Sequence, residues 1–153
     1  MVKYMGITKV FENAFRIRNE RNWEHLYVAV DIHGTVIKPT YDNDLEFQFY
    51  HNALAVLKLL KEEFGDTFRL IMWTSTSNEY IEKYKNVFKN YGVEFDYVNE
   101  NPEVVADNQA ACTADFSNKF YFNIGLDDKF VFDPEEDWDN IYEYLLYKIA
   151  TRR

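Results

Sequence analysis

Carboxylates, hydroxyls and one ammonium group stand where apolar runs of this sequence begin or end: Asp31, Thr35, Thr74, Ser75, Lys119, Asp127 and Asp128. Carboxylates crowded together repel one another and need a hard cation, and oxygen ligands in this number suit Mg²⁺. A phosphoryl group at such a site would be neutralised by that cation, by the ammonium group of Lys119 and by a hydroxyl donor such as Thr74. A free carboxylate in line with the phosphorus could then attack it and form an aspartyl-phosphate.

Each of these positions, taken alone, also has a structural explanation. An aspartate after a strand is often a turn former, and a Thr-Ser pair often begins a turn. Lys119 could be a solvated charge on an edge strand. The combination favours a site, because the groups would converge on one edge of a sheet.

Four apolar, β-rich runs predict the strands that would position these groups: 27–32, 68–73, 93–98 and 119–126. The first two are nearly continuous in apolar residues, which is typical of strands covered on both faces. Segments with helical spacing lie between and around the strands, at 8–22, 53–64, 77–91 and 134–150. Gly65 and Gly92 are plausible helix stops, and Asp133, Pro134 and Glu136 read as a helix start with a capping box.

Strands that alternate with helices indicate βαβ units and a mainly parallel sheet. We therefore expect a Rossmann-like, three-layer α/β sandwich with helices on both faces, formed by residues 1–153 as a single domain. In such open sheets, ligands bind beyond the carboxyl ends of the strands, at a switch point in strand order. The polar residues above follow the predicted strands, as this rule requires.

The composition of the chain indicates its cellular compartment and excludes some classes of binding partner. The chain has 153 residues, a net charge of −9 and one cysteine. The charge argues against anionic membrane surfaces and bulk nucleic acid as partners, and the lone Cys112 fits a reducing compartment and an unreactive thiol. No signal-like or membrane-spanning segment is visible, so we expect a cytoplasmic protein. The 12 Tyr and 13 Phe residues indicate an aromatic core and leave room for a homo-oligomer surface.

The order of the motifs resembles the haloacid dehalogenase superfamily. Its first motif, an apolar strand followed by Asp-x-Asp-Gly-Thr, is matched by the segment 31–35, with His33 at the second acidic position. The second motif, a strand ending in Thr or Ser, is matched by 70–75, and the fourth, a run ending in paired acids, by 125–128. Lys119 is the best candidate for the third motif, with Lys89 as an alternative. A two-component receiver domain combines similar residues, but its acid pair comes at the first strand.

The resemblance implies a magnesium-dependent phosphatase with these roles. Asp31 would be the nucleophile and a metal ligand, and Asp127 would bind the metal directly, with Asp128 nearby or acting through water. Thr74, with Ser75 beside it, would hydrogen-bond the phosphoryl group, and Lys119 would neutralise it. The loop at Gly34 and Thr35 would turn beneath the phosphate.

His33 is the departure from the family pattern. The family's second aspartate protonates the leaving oxygen and binds the metal through its backbone carbonyl, so a histidine could preserve the metal site while altering acid–base catalysis. Three interpretations stay open: a working phosphatase with a substituted acid, an impaired enzyme that acts as a binding or interaction protein, and a phosphotransferase.

The spacing between motifs leaves no room for a full cap domain. Two short segments, 38–49 and 99–117, could partly cover the site. The substrate would be a phosphorylated small molecule or an accessible phosphate on a macromolecule. The terminal acid pair with short insertions also resembles the phosphatase half of polynucleotide kinase-phosphatases, which keeps nucleotides and polynucleotide ends among the alternatives.

Overall fold

The computed structural model describes residues 4–39, 47–105, 116 and 119–152. Within these residues the strands are β1 (Leu26–Asp31), β2 (Phe68–Trp73), β3 (Tyr97–Val98) and β4 (Ile124–Leu126). The helices are α1 (Ile7–Arg21), α2 (Ala53–Glu62), α3 (Asn78–Asn90) and α4 (Asp137–Thr151), with a short 3₁₀ turn at Gly65–Thr67. Cys112 and most of the 99–117 segment lie outside the described residues, as do residues 40–46.

The described strands form one parallel sheet in the order β3-β2-β1-β4. This confirms the predicted α/β class, with a parallel central sheet flanked by helices in a Rossmann-like, three-layer sandwich. After β3 the chain returns across the sheet and pairs β4 with the free side of β1. The strand order therefore switches beside β1, where the carboxyl ends of β1 and β4 adjoin.

Successive side chains along each strand point to opposite faces of the sheet and therefore pack into two different layers. Leu26, Val28 and Val30 of β1 join the main core, to which all four helices contribute buried residues. Aromatic rings supply much of this contact, for example Phe15 against Phe68 at 5.5 Å between ring centroids. The opposite face of the sheet is packed by described residues of the connection between β3 and β4, as in the ring contact of Tyr27 with Tyr121 at 6.0 Å.

Two strands are shorter than predicted, because other interactions replace the regular ladder. The predicted strand 93–98 is reduced to Tyr97–Val98, since Val93 donates its N–H to Phe88 O at the end of α3. The predicted strand 119–126 begins at Ile124. At the preceding position, the side-chain oxygen of Asn123 accepts the N–H of Tyr27 at 2.8 Å, in place of a backbone carbonyl.

The C-terminal helix begins at Asp137, three positions later than expected. Asp133 does cap the entry, because its carboxylate accepts the N–H of Glu135 at 3.0 Å. The reciprocal bond comes from Asp137, which accepts the N–H of Asp133 at 2.8 Å, and not from Glu136. Within the described part of the chain, no helix has the length and apolarity to cross a membrane.

Candidate functional site

Three carboxylates meet at the carboxyl edge of the sheet. Asp31 is the last residue of β1, and Asp127 and Asp128 directly follow β4. Each offers an oxygen atom, and these atoms all lie within 4.8 Å of one another. The pairing of Val30 with Leu126 places the next residues of the two strands, Asp31 and Asp127, side by side, so the strand register brings these two carboxylates together.

The hydroxyl of Thr35 links the carboxylates. This fully buried residue has its Oγ1 2.7 Å from Asp31 Oδ2 and 3.0 Å from Asp128 Oδ1. The same oxygen accepts the backbone N–H of Asp128 at 2.9 Å. Since a hydroxyl carries one proton, it donates to one carboxylate at a time. Thr35 therefore fixes the loop after β1 to the loop after β4.

The loop after β1 is held in a tight turn. The carbonyl of Ile32 accepts the N–H groups of Val36 and Ile37 at 2.9 and 3.0 Å. Gly34 has φ +87°, and a Cβ atom there would lie 3.1 Å from Asp128 Oδ2. The positive φ favours glycine at this position, and a side chain there would also crowd the Asp128 carboxylate.

Helix α4 supports this turn from beneath. The indole N–H of the fully buried Trp138 donates to the carbonyl of Thr35 at 2.7 Å. The C-terminal helix thus holds the backbone of the residue that links the carboxylates. In the sequence, Trp138 lies within the predicted helix 134–150, and helical spacing gives no sign of its long-range partner.

Burial and charge crowding act together on Asp31. The pKa of Asp31 is raised from 3.8 to about 6, mainly by burial and further by the negative charges of Asp127 and Asp128, while the hydrogen bond from Thr35 opposes the rise. A cation beside Asp31 would favour the ionised form of this carboxylate. Three convergent carboxylate oxygens are the donors that Mg²⁺ prefers, so the residues present fit this ion.

Thr74 and Ser75 follow β2 at the same edge of the sheet. Trp73 pairs with Asp31, so Thr74 is one residue beyond the position opposite the carboxylate. Its backbone is held by Asn99, whose amide oxygen accepts the N–H of Thr74 at 2.9 Å and whose amide nitrogen donates to Thr74 O at 2.7 Å. Thr74 is half-buried and Ser75 is exposed.

Asn99 was missed by the sequence interpretation. It has φ +54°, a left-handed conformation that asparagine tolerates better than most residues. The available signal was an asparagine directly after an apolar strand, which is also a common turn signal.

Lys119 belongs to the connection between β3 and β4 and lines a cavity together with Asp127. The alternative, Lys89, lies in the last turn of α3. Because α3 returns from the carboxyl end of β2 toward the start of β3, Lys89 is at the opposite edge of the sheet. The geometry thus favours Lys119 over Lys89, although the role of either residue stays a prediction. His33 is exposed, in the turn between Asp31 and Thr35.

Comparison with known proteins adds a structural neighbour. No protein-family model matches the chain, and no curated protein matches it significantly. A solved structure described as a conserved protein from Bacteroides thetaiotaomicron is similar, with 27% sequence identity and a TM-score of 0.59. The match covers 84% of this chain and 99% of that protein. The chain is thus similar, over most of its length, to a conserved bacterial protein whose description names no activity.

Proposed function

We propose that this protein is a magnesium-dependent phosphomonoester hydrolase of the haloacid dehalogenase type. The observation that carries the proposal is the convergence of Asp31, Asp127 and Asp128 within 4.8 Å at the switch point of the sheet. The order of the sequence motifs supports it, and so does the position of Thr74 beside the strand that ends in Asp31.

The cluster would hold Mg²⁺ through Asp31 and Asp127, with Asp128 and the backbone carbonyl of His33 completing or supporting the protein ligands. When bound, the ion supplies positive charge that offsets the negative charge of a phosphoryl group. Lys119 and the hydroxyl of Thr74 would add an ammonium charge and a hydrogen bond to the same oxygens. The loop from Gly34 to Thr35 keeps the carboxylates close enough for this arrangement.

The reaction uses Asp31 twice. Its carboxylate oxygen forms a bond to phosphorus as the bond between phosphorus and the ester oxygen breaks, and the leaving oxygen departs with the electron pair. Water then attacks the aspartyl-phosphate, which releases inorganic phosphate and restores the carboxylate. Overall, one water molecule gives a hydroxyl group to the phosphate and a proton to the leaving alcohol.

Magnesium is expected to stabilise the folded protein and to be required for phosphate release. Saturating Mg²⁺ should raise the melting temperature by about 5 °C, because only the folded state assembles the three carboxylates. Beryllium fluoride, which mimics the phosphoryl group, should raise it further. In Asp127→Asn, both the shift and the release of phosphate should be lost. Thermal scans and a phosphate assay measure the two effects.

Asp66→Asn is the matched control. Asp66 is exposed and lies before β2, at the opposite edge of the sheet from the cluster, so its removal should leave the magnesium response unchanged. A magnesium shift without phosphate release, in the native protein and in His33→Asp alike, would indicate a binding protein and contradict the hydrolase proposal.

Replacing His33 by aspartate is expected to accelerate turnover of esters with poor leaving groups. A positioned acid that protonates an alkoxide is typically worth about 10²–10⁴ in rate. We therefore expect glycerol phosphate hydrolysis to rise by about 10²-fold. Phenyl phosphate should respond far less, because a phenolate, with a conjugate-acid pKa of about 10, leaves without much proton assistance.

His33→Asn controls for the change in size, since the amide cannot donate a proton as an acid does. A steady-state comparison of kcat on both esters separates the two variants. Equal acceleration by asparagine and aspartate would show that position 33 acts through steric effects and not through acid catalysis.

A further inference from the structure

A cavity of about 560 Å³ opens beside the carboxylate cluster, on the face of the sheet that carries Ala29 and residues of the β3–β4 connection. Its floor includes Ala29 and Gly125, which pair across β1 and β4. A Cβ atom at Gly125 would lie 3.1 Å from the ring of Phe122, so a larger residue would crowd this wall. Gly125 thus admits the Phe122 ring close to the sheet, and Ala29 adds only a methyl group to the floor.

The walls of the cavity are aromatic. Trp73, Phe120 and Phe122 form a continuous series, with ring centroids 5.4 Å apart between the first two and 5.7 Å apart between the last two. Phe130 lines the cavity as well and is 69% exposed, and Trp73 is 44% exposed. Exposed rings that line a cavity leave apolar surface that a ligand can cover.

The cavity and the carboxylate cluster share Asp127. Trp73 pairs with Asp31 in the sheet register, so the aromatic wall begins directly beside the proposed nucleophile. A phosphoryl group at the carboxylate cluster would therefore have the group esterified to it within reach of these rings.

The charges around the cavity limit the number of phosphate groups that a bound substrate can carry. Lys119 is the one cationic residue among those that line it in the described part of the chain, whereas Glu100 and Asp127 are acidic. With a net charge of −9, the chain would repel a substrate that carries several phosphates. A substrate with one phosphate group and an otherwise uncharged structure fits this distribution of charged residues.

We propose that the cavity binds the planar aromatic group of a substrate with a single phosphate. This inference rests on the proposed function for the position of the phosphate, and it adds the substrate class: a monoester whose organic part contains an aromatic ring. The ring contacts Trp73 and Phe130 while the phosphoryl group lies at the carboxylates.

Binding of two non-hydrolysable phosphonates tests the cavity independently of catalysis. Isothermal titration of the magnesium-loaded protein should give at least about tenfold tighter binding for 1-naphthylphosphonate than for propylphosphonate. Trp73→Ala and Phe130→Ala should each reduce this preference by about tenfold and leave propylphosphonate unaffected. Both side chains are partly exposed, so the variants should fold.

Two substitutions serve as controls. Val131 is fully exposed next to Phe130, and Tyr80 is an exposed aromatic residue on α3; neither is among the residues that line the cavity. Val131→Ala and Tyr80→Ala should keep the native preference. Benzyl phosphate and glycerol phosphate, both with alkoxide leaving groups, extend the test to kcat/KM without a bias from leaving-group reactivity.

The outcomes separate this inference from the proposed function. A naphthyl preference that depends on Trp73, without phosphate release from any ester, would support the cavity and reject the hydrolase. Phosphate release at equal kcat/KM from benzyl and glycerol phosphates, with equal affinity for both phosphonates, would support the hydrolase and overturn the cavity assignment. Failure of both phosphonates to bind would also overturn it.

Discussion

Asp31→Asn is expected to abolish phosphate release while making the metal-free protein more stable. The loss of activity should be at least about 10⁴-fold, since an amide oxygen cannot replace the attacking carboxylate. The gain in stability follows from burial and from the neighbouring acids, which raise the pKa of the Asp31 carboxyl to about 6. Above that pH the native protein holds an ionised carboxylate that the fold disfavours, and asparagine removes it.

The difference in stability between Asp31→Asn and the native protein depends on pH. Between the ordinary pKa of 3.8 and about 6, the folded state keeps a proton on Asp31 that the unfolded state releases. The stability contributed by this proton is lost as the pH rises through that window. The excess stability of Asp31→Asn should therefore be largest at pH 7.5 and should vanish near pH 4. Because the carboxylate is partly solvated, we expect about 1 kcal/mol, or 2–4 °C.

Magnesium should reverse the order of stability, because it favours the ionised carboxylate of the native protein. Thermal scans at pH 4 and 7.5, with EDTA and with Mg²⁺, measure the melting temperatures of both proteins under each condition. Asp66→Asn again serves as the control. Phosphate release that survives Asp31→Asn would rule out this residue as the nucleophile. If Asp31→Asn had the same melting temperature as the native protein at pH 7.5 without metal, burial and neighbouring charges would not destabilise the ionised Asp31.

Thr35→Val is the second substitution with a large expected effect. Valine has nearly the same shape but removes the hydroxyl that joins Asp31 to Asp128. The backbone N–H of Asp128 loses its acceptor, so the free energy of unfolding should fall by about 1–3 kcal/mol. The hydrogen bond from Thr35 also lowers the pKa of Asp31, so its loss should raise that pKa further.

Activity should fall by about 10²-fold, because the nucleophile and the metal carboxylates lose their common support. The acidic limb of the pH–rate profile should also move to higher pH, which a purely structural defect would not cause. Thr35→Ser keeps the hydroxyl and should retain the native pH profile at a cost of about 1 kcal/mol for the lost methyl group. A native-like profile in Thr35→Val would contradict the link between this hydroxyl and Asp31.

Part of this site could be predicted from the sequence, because the patterns that indicate it involve residues next to one another in the chain. Asp31 follows an apolar run long enough for a buried strand, and Asp127 and Asp128 close another such run. In a parallel sheet the carboxyl ends of all strands share one edge, so the residue types at those ends already predicted a phosphate site. The assignment to the haloacid dehalogenase superfamily and the roles of the residues remain predictions.

Other parts of the site depend on partners distant in sequence. Asn99 holds Thr74 across 25 positions, and Trp138 holds Thr35 across 103. Spacing along a helix or strand carries no information about such contacts. The strand ends also differ from prediction for this reason, since the side chain of Asn123 replaces a ladder hydrogen bond to Tyr27.

The sequence by itself determined the fold class and the chemical character of the site, because strand apolarity and residue type are local properties. Only the tertiary structure decided that Asp31 adjoins Asp127, since this requires β4 to cross the sheet and pair with β1. It also decided that Gly34 adopts a positive φ next to the Asp128 carboxylate, where a side chain would be strained and crowded. The aromatic cavity likewise exists only once Trp73, Phe120 and Phe122 meet over one face of the sheet.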